Sequence, residues 1–187
     1  MTSEIQSLLL QSGALLEGHF ILSSGKHSSN YLQCAVMLQH PEFATRAGLL
    51  LGDLLQPYNL DLVISPAIGG IVIGQEVGRA LGKRAIFAER EKGVMTLRRG
   101  FLIQPGDRVG IVEDVVTTGG SVKEVIKAVS EAGGVPAVVG SLVFRTKESP
   151  FTVPYEYLWQ VIFPVYDQDE CPLCAKGSQA VKPGSRS

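Results

Sequence analysis

The chain has 187 residues, 45% hydrophobic and 19% charged, an ordinary balance for one soluble globular domain with apolar side chains enough for a core. Its formal net charge of -1 provides no global basic field to attract nucleic acid or an acidic membrane surface. No apolar run approaches the roughly 20 residues of a spanning helix, Glu4 stands where a secretory signal would be basic, and three cysteines do not make a disulfide scaffold; a cytoplasmic protein with no membrane or nucleic-acid partner is expected.

Ser3 and Gln6 have the spacing of a capping box, and Ile5, Leu8 and Leu9 follow at helical period, predicting a short helix that ends near Gly13. Residues 18–31, rich in Gly and Ser, read as a hairpin or irregular hood. Pro41 opens a second helix with Phe43, Ala44, Ala47, Leu50, Leu51, Leu54 and Leu55 on its apolar face. From there short apolar segments alternate with helices: strand 60–65, helix 70–81, strand 84–88, a charged and mobile stretch 90–100, strand 108–113, helix 121–132 stopped by Gly133 and Gly134, and strand 137–144. This pattern predicts an α/β fold with a parallel sheet flanked by helices. The expected organisation is a single domain, 1–187, with a core over about 36–149 and a small hood from about 1–35 and 150–176. The residues from Gly177 onward read as a frayed tail. Ligands of such sheets bind beyond the carboxyl ends of the strands, which here means 65–70, 89–100, 114–121 and 145.

One of those ends carries the chemistry. A buried strand reaches Glu113-Asp114, then Val115-Val116-Thr117-Thr118-Gly119-Gly120-Ser121, then a helix. Glycines let successive backbone N–H groups turn toward one anion, the helix dipole adds partial positive charge, and the hydroxyls supply further donors. A phosphate monoester fits there. The two acids would repel that phosphate, so they suit neutral hydroxyls or a nearby cation, and a phosphorylated sugar presents phosphate and hydroxyls together. The bland alternative is an acidic strand end beside a capped helix. Neither a dinucleotide fingerprint nor a Walker loop is present.

These residues resemble the phosphoribosyl pyrophosphate (PRPP) motif of type I phosphoribosyltransferases. Gly18 to Tyr31 is similar to the hood of the orotate phosphoribosyltransferase family, Ser65 to Ile71 to its pyrophosphate loop, and Arg145 to its orotate-contacting arginine. The resemblance implies transfer from PRPP to orotate with magnesium, in a homodimer whose mobile loop crosses to its neighbour. It assigns Glu113, Asp114 and Arg90 to catalysis, Glu113 to Ser121 to PRPP, Thr117 and Arg145 to orotate, and Lys92, Arg98 and Arg99 to the mobile loop. It implies no direct protein ligand for the metal, which PRPP itself bridges. Where many members carry lysine, this chain has Gly69 and Ser23. Left open are a phosphoribosyltransferase for another base, a PRPP-sensing regulator on the same fold, and an ordinary exposed strand-end role for Arg145.

Cys171-Pro-Leu-Cys174 has the spacing of half a zinc knuckle, but Cys34 is the one other cysteine, so a partner subunit would have to complete a site. A local disulfide and free thiols are the alternatives. His19, His27 and His40 show no metal-ligand spacing; His27 falls in the hood near substrate, and Trp159 and Phe163 read as packing residues.

Overall fold

The structure is a computed structural model that describes residues 3–22 and 24–183; Ser23 and the last four residues of the tail lie outside them. In chain order it forms α1 (Glu4–Gln11), β1 (Leu15–Ile21), β2 (His27–Leu32), α2 (Cys34–Leu38), α3 (Pro41–Leu55), β3 (Leu62–Pro66) and α4 (Gly70–Leu81). Then come β4 (Arg84–Glu91), β5 (Val94–Leu97), β6 (Arg108–Val116), α5 (Gly120–Glu131), β7 (Val135–Phe144), β8 (Tyr155–Gln160), β9 (Val165–Tyr166) and α6 (Pro172–Ala175). Gln6 holds the start of α1 by accepting from the Ser3 N–H at 2.7 Å. α2 was not foreseen: five residues are too few for a helical period to show.

The main sheet has the order β5-β4-β3-β6-β7-β8. All neighbours in it are parallel except β4 and β5. Alternation along β3 explains the two-faced core. Val63 points into a layer with Leu51 and Leu55 of α3 and Ile73 and Val77 of α4, while Leu62 and Ile64 point to Val122, Val125 and Val129 of α5. Each fully buried side chain of this kind is worth about 1.5–3 kcal/mol. Helices α3 and α4 approach so closely that a Cβ on Gly48 would stand 2.5 Å from the Glu76 Cβ.

Two expectations need correction, and a third region holds pairing that the sequence did not disclose. Residues 90–100, expected to be charged and mobile, include a paired segment. They turn through Lys92 and Gly93 into an antiparallel hairpin with Arg90 opposite Met95. β8 is not a hood element, since it extends the main sheet beside β7. The tail is ordered through Val181, whose N–H donates to His19 O at 2.9 Å and whose carbonyl accepts from Ile21 at 2.8 Å. The remaining hood is a second antiparallel sheet, β1-β2-β9, in which His27 lies opposite both Ile21 and Tyr166. Backbone pairing of this kind leaves no local signature, which is why neither the hairpin of β4 and β5 nor the pairing of Val181 showed in the sequence.

Candidate active site

β6 runs through the centre of the sheet, so its carboxyl end is fixed by neighbours on both sides. Glu113 pairs with Ser141 and Val116 with Phe144 of β7. Beyond Val116 the chain turns at Gly119, φ 72°, and enters α5. The first four N–H groups of a helix have no intrahelical partner, so the turn presents donors outward under a favourable dipole. Gly119 is required for a second reason: a Cβ there would meet Phe151 Cε1 at 2.7 Å and Pro150 Cγ at 2.8 Å.

A cavity of about 220 Å³ opens over this turn, lined by Thr117 to Ser121 together with Glu113, Val115, Val116 and, from the sides, Arg90 and Glu124. It is smaller than the roughly 300–1,000 Å³ of a complete ligand pocket, as suits the phosphate end of a larger molecule. Arg90 reaches it from β4. Its guanidinium pairs with Glu124 of α5 at 2.7 Å and donates to Gly93 O at 3.0 Å. Glu124 was not a sequence candidate. Lys92 sits at the hairpin turn with φ 51°, and Arg98 and Arg99 pair with Glu89, Arg98 also with Glu91, so these three do not line the cavity.

The acids face the turn between β3 and α4. A Cβ on Gly69 would lie 3.0 Å from Asp114 Oδ1, and one on Gly70 the same distance from Glu113 Oε1. Glycine at 69, where a lysine was noted as common, thus leaves room for the Asp114 carboxylate. The Asp114 N–H donates to Glu113 Oε1 at 3.1 Å and the Val115 N–H to Asp114 Oδ1 at 2.8 Å. Burial, and then the charge of Asp114, raise the Glu113 carboxyl to about 9. Glu113 therefore carries a proton at neutral pH in the ligand-free chain.

Arg145 follows β7, and its N–H donates to Val116 O at 2.9 Å, which sets it beside Thr117. Its guanidinium lies 5.0 Å from the centre of the Phe163 ring, and its Nε is buried without a hydrogen-bond partner. Burial lowers its pKa. This is not a solvated strand-end arginine. Phe163, read as packing, does meet the Trp159 ring at 6.2 Å and is also the platform beneath Arg145; an aromatic far along the chain gave no signal of that second contact.

His27 is buried away from solvent and so is not available to substrate. It meets His19, Cys171 and Cys174 in one group whose ligand atoms all lie within 4.8 Å of one another. The reading that these histidines lack ligand spacing is corrected: pairing of β1 with β2 supplies in space what the sequence lacks.

No family model matches the chain. The fold is that of orotate phosphoribosyltransferase from Mycobacterium tuberculosis solved with inorganic phosphate, at TM-score 0.69 and 21% identity over 83% of this chain and 94% of that one. The enzyme of the same name from Aeropyrum pernix aligns at TM-score 0.64 and 27% identity, covering 81% and 92%. Sheet order, acid pair and phosphate cradle together place the chain among the type I phosphoribosyltransferases. Orotate phosphoribosyltransferase of Thermotoga maritima is 52% identical over 183 residues, 97% of this chain and 98% of the relative. The chain belongs to the orotate phosphoribosyltransferase family.

Proposed function

We propose that the chain moves the ribose 5-phosphate group of PRPP onto orotate, giving orotidine 5′-monophosphate and pyrophosphate in pyrimidine biosynthesis. The observation that carries this reading is one backbone hydrogen bond, Arg145 N–H to Val116 O, which ties the start of the Arg145 loop to the strand end that leads into Thr117 to Ser121. Guanidinium pairs bidentately with a planar carboxylate, the group that distinguishes orotate from uracil or a purine.

The backbone and hydroxyls of Thr117 to Ser121 hold the 5′-phosphate. Glu113 and Asp114 engage the ribose 2′- and 3′-hydroxyls, where a half-buried pair of acids fits neutral donors. The carboxyls are hard oxygen donors pushed against each other, a setting that also tolerates a divalent cation nearby. Leaving-group charge would be offset by a magnesium ion brought with PRPP. As the anomeric bond stretches, the acids stabilise the developing positive charge on the ribose. Arg90 attracts the departing pyrophosphate from the hairpin, with Lys92, Arg98 and Arg99 as further cations of a closing loop. Arg145 and Thr117 orient orotate so that its ring nitrogen, acidic enough to need no strong base, attacks from the opposite face.

A homodimer accords with the apolar groove along α4 and β4, where Val72 is 44% exposed beside Ile71, Phe87 and Phe101. Action in the cytoplasm accords with three free cysteines. Among the described residues no helix is long and apolar enough to cross a membrane. The test is to mix protein, PRPP and single bases with and without magnesium and follow pyrophosphate. Rapid release with orotate alone, and only with a divalent metal, is expected; equal release with adenine, hypoxanthine or uracil would overturn the assignment.

A further inference from the structure

Four side chains outside the active site converge although nothing in the reaction uses them. His19 Nε2 lies 2.9 Å from His27 Nδ1, 3.4 Å from Cys171 Sγ and 3.7 Å from Cys174 Sγ, and Cys174 Sγ lies 3.3 Å from His27 Nδ1. A tetrahedron with metal–sulfur bonds of about 2.3 Å and metal–nitrogen bonds of about 2.0–2.1 Å has edges of roughly 3.3–3.8 Å. Three of the four separations fall in that range, and the fourth is slightly short of it.

Hydrogen bonding does not account for the convergence. The Nδ1 of His19 stands 3.1 Å from Ser178 O. A carbonyl only accepts, so Nδ1 carries the proton and Nε2 presents a single lone pair to three neighbours at once. One lone pair serves one donor. A cation shared by all four groups satisfies the geometry, and the outer bond from Nδ1 to a carbonyl is the arrangement by which metal-bound imidazoles are held in orientation.

The site is built by the fold. His27 pairs with Ile21, and His19 sits in the irregularity of register between Glu17 and Phe20, from which its ring meets that of His27 on one side of the hairpin. Cys171 caps α6 and Cys174 follows three residues later, which brings both sulfurs to one helix face. His19, His27 and Cys171 are 5%, 5% and 2% exposed. The main chain already joins the same segments, through Val181 to His19 and Ile21 and through Tyr166 to His27.

We propose that His19, His27, Cys171 and Cys174 bind one zinc-class divalent cation that fastens the carboxyl-terminal segment onto the β1–β2 hairpin. Two thiols and two imidazoles select zinc over magnesium or calcium, which take oxygen ligands. Four protein ligands leave no open coordination position, so the site is structural. It differs in ligand chemistry and in place from the magnesium that accompanies PRPP.

The test uses the full chain, purified under reducing conditions without a histidine tag. Metal analysis is expected to find one equivalent of zinc per chain. Removal by a strong chelator lowers the melting temperature, and added zinc restores it while added magnesium does not. Cobalt titrated into the metal-free chain gives the visible bands of tetrahedral cobalt with thiolate charge transfer, saturating at one equivalent. The Cys171→Ser/Cys174→Ser variant loses both the zinc and the cobalt bands, and where it folds it keeps the orotate reaction at low temperature. Should that variant fail to fold, the cobalt titration of the unmodified chain still decides. Absence of zinc together with absence of cobalt bands overturns the proposal, as does a mass two hydrogens lighter in the chain isolated without reductant than in the reduced chain, absent from the Cys171→Ser/Cys174→Ser variant, which would mark a disulfide between Cys171 and Cys174.

Discussion

The half-buried acid pair at the end of β6 and the buried cluster of the hood are held together in opposite ways. At the end of β6, Glu113 and Asp114 are chain neighbours, so covalent geometry forces two acids into one place, and Glu113 answers by holding its proton. In the hood, residues 19, 27, 171 and 174 come from both ends of the chain, and only completed tertiary pairing brings them together. The first cluster is a preorganised, electrostatically unrelieved site whose relief comes from a ligand that arrives and leaves. The second is a closed set of soft donors suited to an occupant that stays. Changes at the first should therefore lower turnover without lowering melting, and changes at the second should lower melting and spare turnover.

The largest expected effect is at Arg145. Arg145→Ala strands the orotate carboxylate in a partly dehydrated pocket, at about 2–5 kcal/mol, or roughly 30- to 4,000-fold in the orotate requirement. PRPP affinity measured by calorimetry should stay near that of the unmodified chain. Equal weakening of both ligands would make Arg145 a structural residue and blur the contrast between the clusters.

Next is Asp114→Asn, a nearly isosteric change. It should cost about 3 kcal/mol, roughly 100-fold in kcat, with an unchanged melting temperature. Unaltered turnover would show that the acids serve the fold.

The proton on Glu113 sharpens the contrast further. Its carboxyl is raised from 4.5 to about 9, so the protonated form is the one the fold prefers. That contribution to stability is complete below about pH 4.5 and is lost as pH rises through about 9. Glu113→Gln, which cannot ionise, should melt higher than the unmodified chain without ligand, by about 2–4 °C for each kcal/mol recovered. The gap should widen between pH 5 and 9 in thermal scans, while activity falls. A constant gap across that range would mean that Glu113 does not titrate as a buried acid.

The smallest effect probes the one residue that belongs to both regions. Phe163 lies on the stretch that leads into β9 and the hood, yet its ring carries Arg145. Phe163→Leu removes a cation–π contact worth about 0.5–2 kcal/mol, and a few-fold rise in orotate KM with kcat preserved is expected. No change would mean that the hood and the base site are mechanically separate.

What the sequence disclosed follows the same division. Helix α4 matches its predicted limits, 70–81, because a glycine turn precedes it and Gly82, φ 65°, ends it, both local facts. The strand end, glycine turn and helix start over residues 113–121 were legible because one contiguous stretch carries them. Arg145 was legible through its place at a strand end, but its Phe163 platform was not. The hairpin at 90–100 was hidden because Arg90, Arg98 and Arg99 are satisfied by Glu124, Glu89 and Glu91, pairings that appear only after folding. The hood cluster was hidden most deeply, since its halves lie more than a hundred residues apart, with histidines at no ligand interval.

Gly119 carries a consequence for how this chain can change over generations. Two unrelated constraints disfavour a side chain there: the backbone angle, and the ring of Phe151 with Pro150 overhead. Trimming Phe151 would leave both Pro150 and the angle as they are. A single neighbouring substitution therefore relieves only part of the cost of a replacement at 119. Selection should hold the position even in branches where the surrounding threonines and the loop cations have drifted.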